Sequence, residues 1–287
     1  MDNNNKTVLA CIDGSNFSRA VCDYAAWIAQ RVGAPLKLLH NIEHREAPAV
    51  SDLTGSIGLG SREKLLAELT DLEQRRSKIL LQEGKLMLEA AKERVIAAGV
   101  SDPVVNQRHG GLTEALIELE DDIGVLVMGI RGEEHENQAG RVGAHLETII
   151  RSLHRPVLVV NGEFSAPQRI MLAYDGSEAA GKALNMVAES PLYKGLCCHV
   201  VHVSRDGKAN EQVLEQAVQR LRNAGVDVVA SKLTGAVEQE LCDYQRQHDI
   251  DLTVMGAYSH TRLRELLLGS FTAKMLTMTQ KPLLLLR

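Results

Sequence analysis

Two aspartates stand in the same surroundings. Val8-Leu-Ala-Cys-Ile-Asp-Gly-Ser15 returns as Ile170-Met-Leu-Ala-Tyr-Asp-Gly-Ser177, so Asp13 and Asp175, 162 residues apart, each end an apolar run and precede Gly-Ser. A carboxylate at the end of a buried strand, next to a glycine that can turn sharply, can accept hydrogen bonds where open α/β sheets bind ligands. In the second copy, Gly256-Ala-Tyr-Ser259 is followed by nine residues and then Gly269-Ser270. Glycines let backbone N–H groups approach an anion, and a helix start adds unpaired donors. Gly256, Ser259, Gly269 and Ser270 therefore read as a triphosphate cradle beyond one strand, with Asp175 beyond its neighbour.

The first copy carries a weaker version. Gly129-Ile-Arg-Gly132 opens it, ten residues separate Gly132 from Gly143, and Ala144 replaces the serine. Arg131 and Arg141 could attract an anion there, whereas Glu133, Glu134 and Glu136 oppose one. Three other patterns fail on context. Gly176-Ser-Glu-Ala-Ala-Gly-Lys-Ala183 nearly spells a P-loop, but Ala183 lacks the hydroxyl that holds Mg²⁺. His40-Asn-Ile-Glu-His44 matches an inverted zinc-protease motif, yet that motif needs a helix and this one leaves a strand. Gly55–Ser61 is glycine-rich but follows no strand, and reads as a flexible connection. No histidine pairs with a nucleophile in both copies, and no G-x-S-x-G elbow occurs, so catalysis has no named actors.

These residues must be held by repeated elements. Val127-Met-Gly129 echoes Val254-Met-Gly256, and Arg155-Pro-Val-Leu-Val-Val160 echoes Lys281-Pro-Leu-Leu-Leu-Leu286. Three echoes in one order predict a duplicated domain. Buried-strand runs at 170–174, 197–203, 226–230, 252–255 and 283–286 alternate with helical spacing over 178–189, 213–224, 237–248 and 270–279. The first copy has strands at 7–12, 36–40, 104–107, 125–128 and 157–160. Alternating strands and helices predict an α/β fold: two doubly wound five-stranded parallel-sheet domains, each of strand order 3-2-1-4-5. The expected boundaries are 1–160, a linker at 161–167, and 168–287. From His40 to Gly110 the first copy spends 37 residues more than the second does from His202 to Gly235. That excess predicts a helical insertion at about 45–80, and the roughly helical spacing of Leu65, Leu69, Leu72, Ile79, Leu80, Met87, Ala91 and Val95 predicts one long helix or two, serving as a surface helix over the sheet, a lid or a partner-binding arm.

Composition narrows the partners. The chain has 287 residues, a formal charge of −5 and 3% aromatic residues. It offers neither a basic face for phosphate backbones nor platforms for base stacking, so nucleic acid is not expected. No apolar stretch is long enough for a membrane span. The five cysteines lack metal or redox spacing and the polar start lacks a signal-peptide core, which predicts reduced thiols in the cytoplasm.

The repeated Asp-Gly-Ser, Met-Gly and closing-strand patterns resemble the universal stress protein (UspA-like) family in tandem form. The resemblance covers nearly the whole chain outside the insertion. Nucleotide-binding members carry G-x2-G-x9-G-[S/T] after strand four and an Asp ending strand one. It implies that Asp175 meets ribose or adenine, that the backbone of Val203 meets adenine, and that Gly256, Gly269 and Ser270 hold phosphates. Ser259 replaces the family's second glycine, with a loss of freedom at positive φ. Asp13, Gly129, Gly132 and Gly143 are the first copy's candidates, with Asn41 where Val203 stands. The expected ligand is ATP or a related adenine nucleotide, possibly with Mg²⁺, chiefly in the second copy, with no protein metal site. The resemblance also implies antiparallel pairing of the closing strands as an intramolecular pseudo-dimer. A further homodimer and a protein partner stay open. Three readings follow: a nucleotide-sensing stress module, a slow ATP hydrolase or phosphotransferase, or a ligand-free interaction protein using the insertion.

Overall fold

The computed structural model describes residues 6–43, 59–132, 143–205, 211–257 and 270–287. The first half holds strands β1 (Thr7–Cys11), β2 (Leu36–Ile42), β3 (Val104–His109), β4 (Ile123–Gly129) and β5 (Val157–Val160), with helices α1 (Ser18–Val32), α2 (Leu59–Ala97), α3 (Leu112–Glu118) and α4 (Ala144–Ser152). The second half holds β6 (Arg169–Ala173), β7 (Cys197–Ser204), β8 (Asp227–Thr234), β9 (Leu252–Gly256) and β10 (Leu283–Leu286). Its helices are α5 (Glu178–Glu189), α6 (Glu211–Asn223), α7 (Val237–Gln247) and α8 (Ser270–Met278).

Local chemistry sets these limits. The apolar β1 is buried beyond its first residue, as suits a parallel strand covered on both faces. Gly33 takes φ 65° and its N–H closes α1 on the Ala29 carbonyl. Ser177 Oγ accepts the Ala180 N–H at 3.2 Å and so caps α5.

All ten strands form one sheet in the order β3-β2-β1-β4-β5-β10-β9-β6-β7-β8. Each half has the 3-2-1-4-5 order, and ladders within each half are parallel. The halves meet where β5 and β10 run antiparallel, with Leu158 opposite Leu284. Every residue of both strands is buried. At roughly 1.5–3 kcal/mol for each fully buried aliphatic side chain, packing contributes heavily to this joint. Pairing also removes two exposed apolar edges. One core joins α1, α2, α5 and α6 to one sheet face; the other joins α3, α4, α7 and α8 to the opposite face.

Segment 161–167, expected as a simple linker, is held in place. Asn161 Nδ2 donates to the Thr279 carbonyl at 2.7 Å, and Phe164 packs edge-on against Tyr24 at 4.8 Å between centroids. The helix α2 extends past the expected insertion. It is continuous for 39 residues, starts within the glycine-rich stretch read as a flexible connection, and ends at Ala97. Residues 55–58 lie outside the described residues. Leu88, Ala91 and Val95 pack into the core, so its C-terminal part covers the sheet, whereas residues 64–76 are all exposed. β8 is longer than the expected 226–230 because alternation continues through Thr234, opposite Ser204 of β7. Among the described residues, no helix is long and apolar enough to cross a membrane.

Candidate functional site

In the second half, β6, β7 and β9 end together around a cavity of about 350 Å³ lined by Asp175, Val203, Arg205, Glu238, Gly256 and Phe271, among others. Asp175 leaves β6 in a turn made possible by Gly176 at φ 79°. Its Oδ1 accepts the Ser177 N–H at 2.9 Å, which holds the carboxylate at the rim. Beside it, burial and then Asp175 itself raise the Tyr174 phenol pKa above its ordinary value. The Tyr174 carbonyl accepts a hydrogen bond from His202 Nδ1 at 2.8 Å, which fixes that imidazole tautomer. In the first half, His40 Nδ1 makes the same bond to the Ile12 carbonyl at 2.8 Å. Both histidines are thus accounted for as braces between strands one and two.

Val203 lies within β7, and with Val201, Leu241, Met255 and Phe271 it gives the cavity an apolar wall. Gly256 ends β9 against the first turn of α5. A Cβ there would sit 2.7 Å from the Ala179 Cβ and 3.0 Å from the Ala180 backbone nitrogen. Close helix packing therefore explains this glycine without a ligand. The Ala257 N–H is bonded to the Leu286 carbonyl at 2.7 Å, and the Ala257 carbonyl accepts from Thr272 Oγ1 at 2.7 Å. Ser270 opens α8, as the sequence predicts. Ser259, Gly269 and the Ser270 side chain lie outside what is described.

Sequence reasoning missed three charged residues. Glu238, in the first turn of α7, is nearly buried and lines the cavity. Its carboxyl pKa is lowered first by a hydrogen bond from its own backbone N–H, then by Lys274 and by Arg205. Lys274 Nζ of α8 lies 3.3 Å from Glu238 Oε1. Arg205 follows Val203 by two residues, and comparing copies two positions further along would have exposed it, because Glu43 stands at the matching place.

The first half has a cavity of about 310 Å³ lined by Asp13, Asn41, Glu43, Gly129, Gly132 and Gly143, among others. Asp13 Oδ1 accepts from the Ser15 N–H and from Ser18 Oγ, each at 3.0 Å, whereas the second copy has Ala180 in place of Ser18. A Cβ on Gly132 would lie 3.3 Å from Asp13 Oδ2, and one on Gly129 would lie 3.0 Å from the Phe17 Cβ. None of Gly129, Gly132, Gly143 and Gly256 has a positive φ. The expected loss of positive-φ freedom at Ser259 thus has no counterpart at the equivalent Gly132. Gly143 donates its N–H to the Ile130 carbonyl at 3.1 Å. Glu43 Oε1 accepts the Leu112 N–H at the start of α3 at 3.2 Å, and its Oε2 lies 3.4 Å from His145 Nε2. The insertion adds Arg76, Leu80, Glu83 and Met87 as a further wall.

Among the described residues, no group of three or more His, Cys, Asp or Glu side chains could hold a metal ion. Burial raises Cys11, Cys22 and Cys198 to about 12, so these thiols stay protonated near neutrality. What the second cavity combines is an apolar wall, a turn-held carboxylate and a mixed-charge rim, a lining suited to a small organic ligand with polar substituents.

Comparison with known proteins agrees with this duplication. The model of the universal stress protein family matches residues 4–161 and again residues 167–287. Universal stress protein Slr1230 of Synechocystis sp. is 37% identical over 286 residues, covering 98% of this chain and all of that protein. The crystal structure of a universal stress protein from Archaeoglobus fulgidus covers 99% of this chain and 96% of its own, at 17% identity and a TM-score of 0.70. A functionally unknown protein from Pseudomonas aeruginosa shares the fold over 99% of this chain and 92% of its own, at 16% identity and a TM-score of 0.61. With both halves matched by one family and a full-length relative at this identity, the chain belongs to the universal stress protein family as a tandem, two-copy member.

Proposed function

We propose that the protein binds ATP or a related adenine nucleotide in the second-half cavity and acts as a regulatory or sensing module rather than through catalysis. The observation that carries this reading is the meeting of Asp175, Val203 and Gly256 at one cavity beyond the ends of β6, β7 and β9. That location is the switch point where β6 and β9 are neighbours and their crossovers leave toward opposite faces. Val201, Val203 and Met255 suit the flat face of a base, and Asp175 suits ribose hydroxyls, which can donate to it. Arg205 supplies positive charge at the rim. Phosphates would extend toward the start of α8, where first-turn N–H groups have no partner within the helix. Magnesium, if carried, would arrive with the phosphates, and no step here depends on it.

The first-half cavity is the weaker candidate. Glu43 stands where the second half has Arg205, and Asp13 is bonded twice rather than once. Mass spectrometry of ligand released from freshly purified protein tests the proposal. An adenine nucleotide near one per chain supports it. No released nucleotide, together with no thermal shift in millimolar ATP, contradicts it, since binding at that excess would raise the melting temperature.

A further inference from the structure

Among the described Asp, Glu, Lys and Arg residues, Glu238 alone is buried, at 9% exposure, and it lines the second-half cavity. An ionised group withdrawn from water must be compensated by hydrogen bonds or opposite charge. Glu238 is compensated only in part. Its own backbone N–H donates to the carboxylate, and Arg205 acts on it through charge. Lys274 Nζ donates to Oε1 at 3.3 Å, but that lysine side chain is 61% exposed, and ion pairs held in solvent contribute little. A carboxylate offers roughly four acceptor sites, so capacity remains on the cavity side. The dipole of α7 favours an acid in its first turn, yet Glu240 meets that need from a less buried position.

Position indicates what the carboxylate would meet. Leu241 follows Glu238 by three residues, one turn along the same face of α7, and lines the same cavity. The carboxylate therefore borders the apolar wall to which Val201, Val203 and Met255 also belong. A flat ring lying on that wall turns an edge toward it. An ionised carboxylate only accepts hydrogen bonds, so it suits an edge that carries an amino group and is left unpaired by one that carries none. The first lobe has Thr113 at the matching place, three residues beyond Gly110 as Glu238 is beyond Gly235.

We infer that Glu238 reads the edge of the bound base, accepting a hydrogen bond from the exocyclic amino group of adenine, and so sets the choice of nucleotide. The inference rests on the nucleotide reading above and adds to it the side chain that selects the base. Asp175 keeps the ribose role proposed for it, since the two carboxylates come from separate elements, the end of β6 and the start of α7.

The test compares ATP with purine riboside triphosphate, which lacks only that amino group, by calorimetric titration of the full chain. The native chain should bind ATP at least about tenfold more tightly, because the analogue leaves a buried acceptor unpaired. Glu238→Ala should remove the difference between the two ligands. Glu238→Gln keeps the shape but offers a neutral, weaker acceptor, and should show an intermediate preference. The ratio of affinities is the readout, because a variant that merely loosened the fold would weaken both ligands together and leave their ratio unchanged. A native chain that binds no ATP would overturn the nucleotide reading and this inference with it. ATP bound without preference over the analogue, or the native preference persisting in either variant, would overturn this inference alone.

Discussion

The two lobes share a scaffold and diverge at the rim of their cavities. His40 and His202 brace the same carbonyls at 2.8 Å, and Gly14 and Gly176 turn the chain at φ 80° and 79°. Around that common frame, Asn41 replaces Val203, Glu43 replaces Arg205 and Ser18 replaces Ala180. The first lobe ties its rim with its own polar contacts: Glu43 on the α3 N-terminus, Ser18 on Asp13, and the Gly143 N–H on Ile130. The second places Arg205 where the first has Glu43, while the cations of the first cavity, Arg76 and Arg131, come from other elements. The two lobes thus share a scaffold and differ in what lines each cavity.

The largest effect should come from exchanging rim charges. Arg205→Glu would place a second acid beside Glu238 and is expected to weaken nucleotide binding by at least about tenfold, or ~1.4 kcal/mol. Glu43→Arg should give the first lobe measurable binding of its own. Titration calorimetry on both variants decides this. If Arg205→Glu binds as the native chain does, the rim charge is irrelevant and the contrast between lobes loses its electrostatic basis.

Glycine substitutions sharpen the comparison at the level of packing. Gly256→Ala forces a Cβ to within 2.7 Å of the Ala179 Cβ and 3.0 Å of the α5 backbone, whereas Gly129→Ala meets the Phe17 Cβ at 3.0 Å and the Arg131 carbonyl oxygen at 3.2 Å. The first should destabilise by about 1–3 kcal/mol and the second by less, because its contacts are a few tenths of an ångström longer. Denaturant midpoints at constant slope measure the difference. Equal losses would mean that the α5 start shifts freely.

Acid should produce the smallest effect, through His199 of the second lobe. His199 is held below the usual imidazole range by burial first, then by His248 and Arg169, with Asp227 acting the other way. Its Nδ1 pairs with the Tyr244 hydroxyl at 2.8 Å, and that hydroxyl also meets Ser231 Oγ at 2.7 Å. The fold favours the neutral ring, so this contribution to stability is in place above the ordinary value of 6.5 and is lost as pH falls from there through the lowered folded value. The first lobe has Lys37 at the matching position. Melting temperature should therefore fall on acidification below 6.5, and His199→Phe should flatten that fall. An unchanged slope would assign the acid sensitivity elsewhere.

Much of this architecture was legible because the chain describes itself twice. The bounds of α5, read as 178–189 from helical spacing, are those observed. The nearness of Asp175 and Gly256 followed from strand ends, whereas Val203 came from the family resemblance. The Arg205–Glu238–Lys274 cluster did not, because its members come from β7, α7 and α8 and meet only in the folded lobe. Gly256 carries two readings for a similar reason. A ligand approach and a close helix approach demand the same missing Cβ, and sequence cannot tell them apart. The reach of α2 was legible in the helical spacing from Leu65 to Val95, but not that its apolar residues lie on two opposite faces, one packed and one exposed.

The central claim is that one lobe, the second, holds the nucleotide. Calorimetric titration of the native chain with ATP, set beside Val203→Asp and Asn41→Asp, tests it most directly. The account predicts one site per chain, abolished by Val203→Asp and untouched by Asn41→Asp. Two equivalent sites, or a single site lost with Asn41→Asp instead, would contradict it.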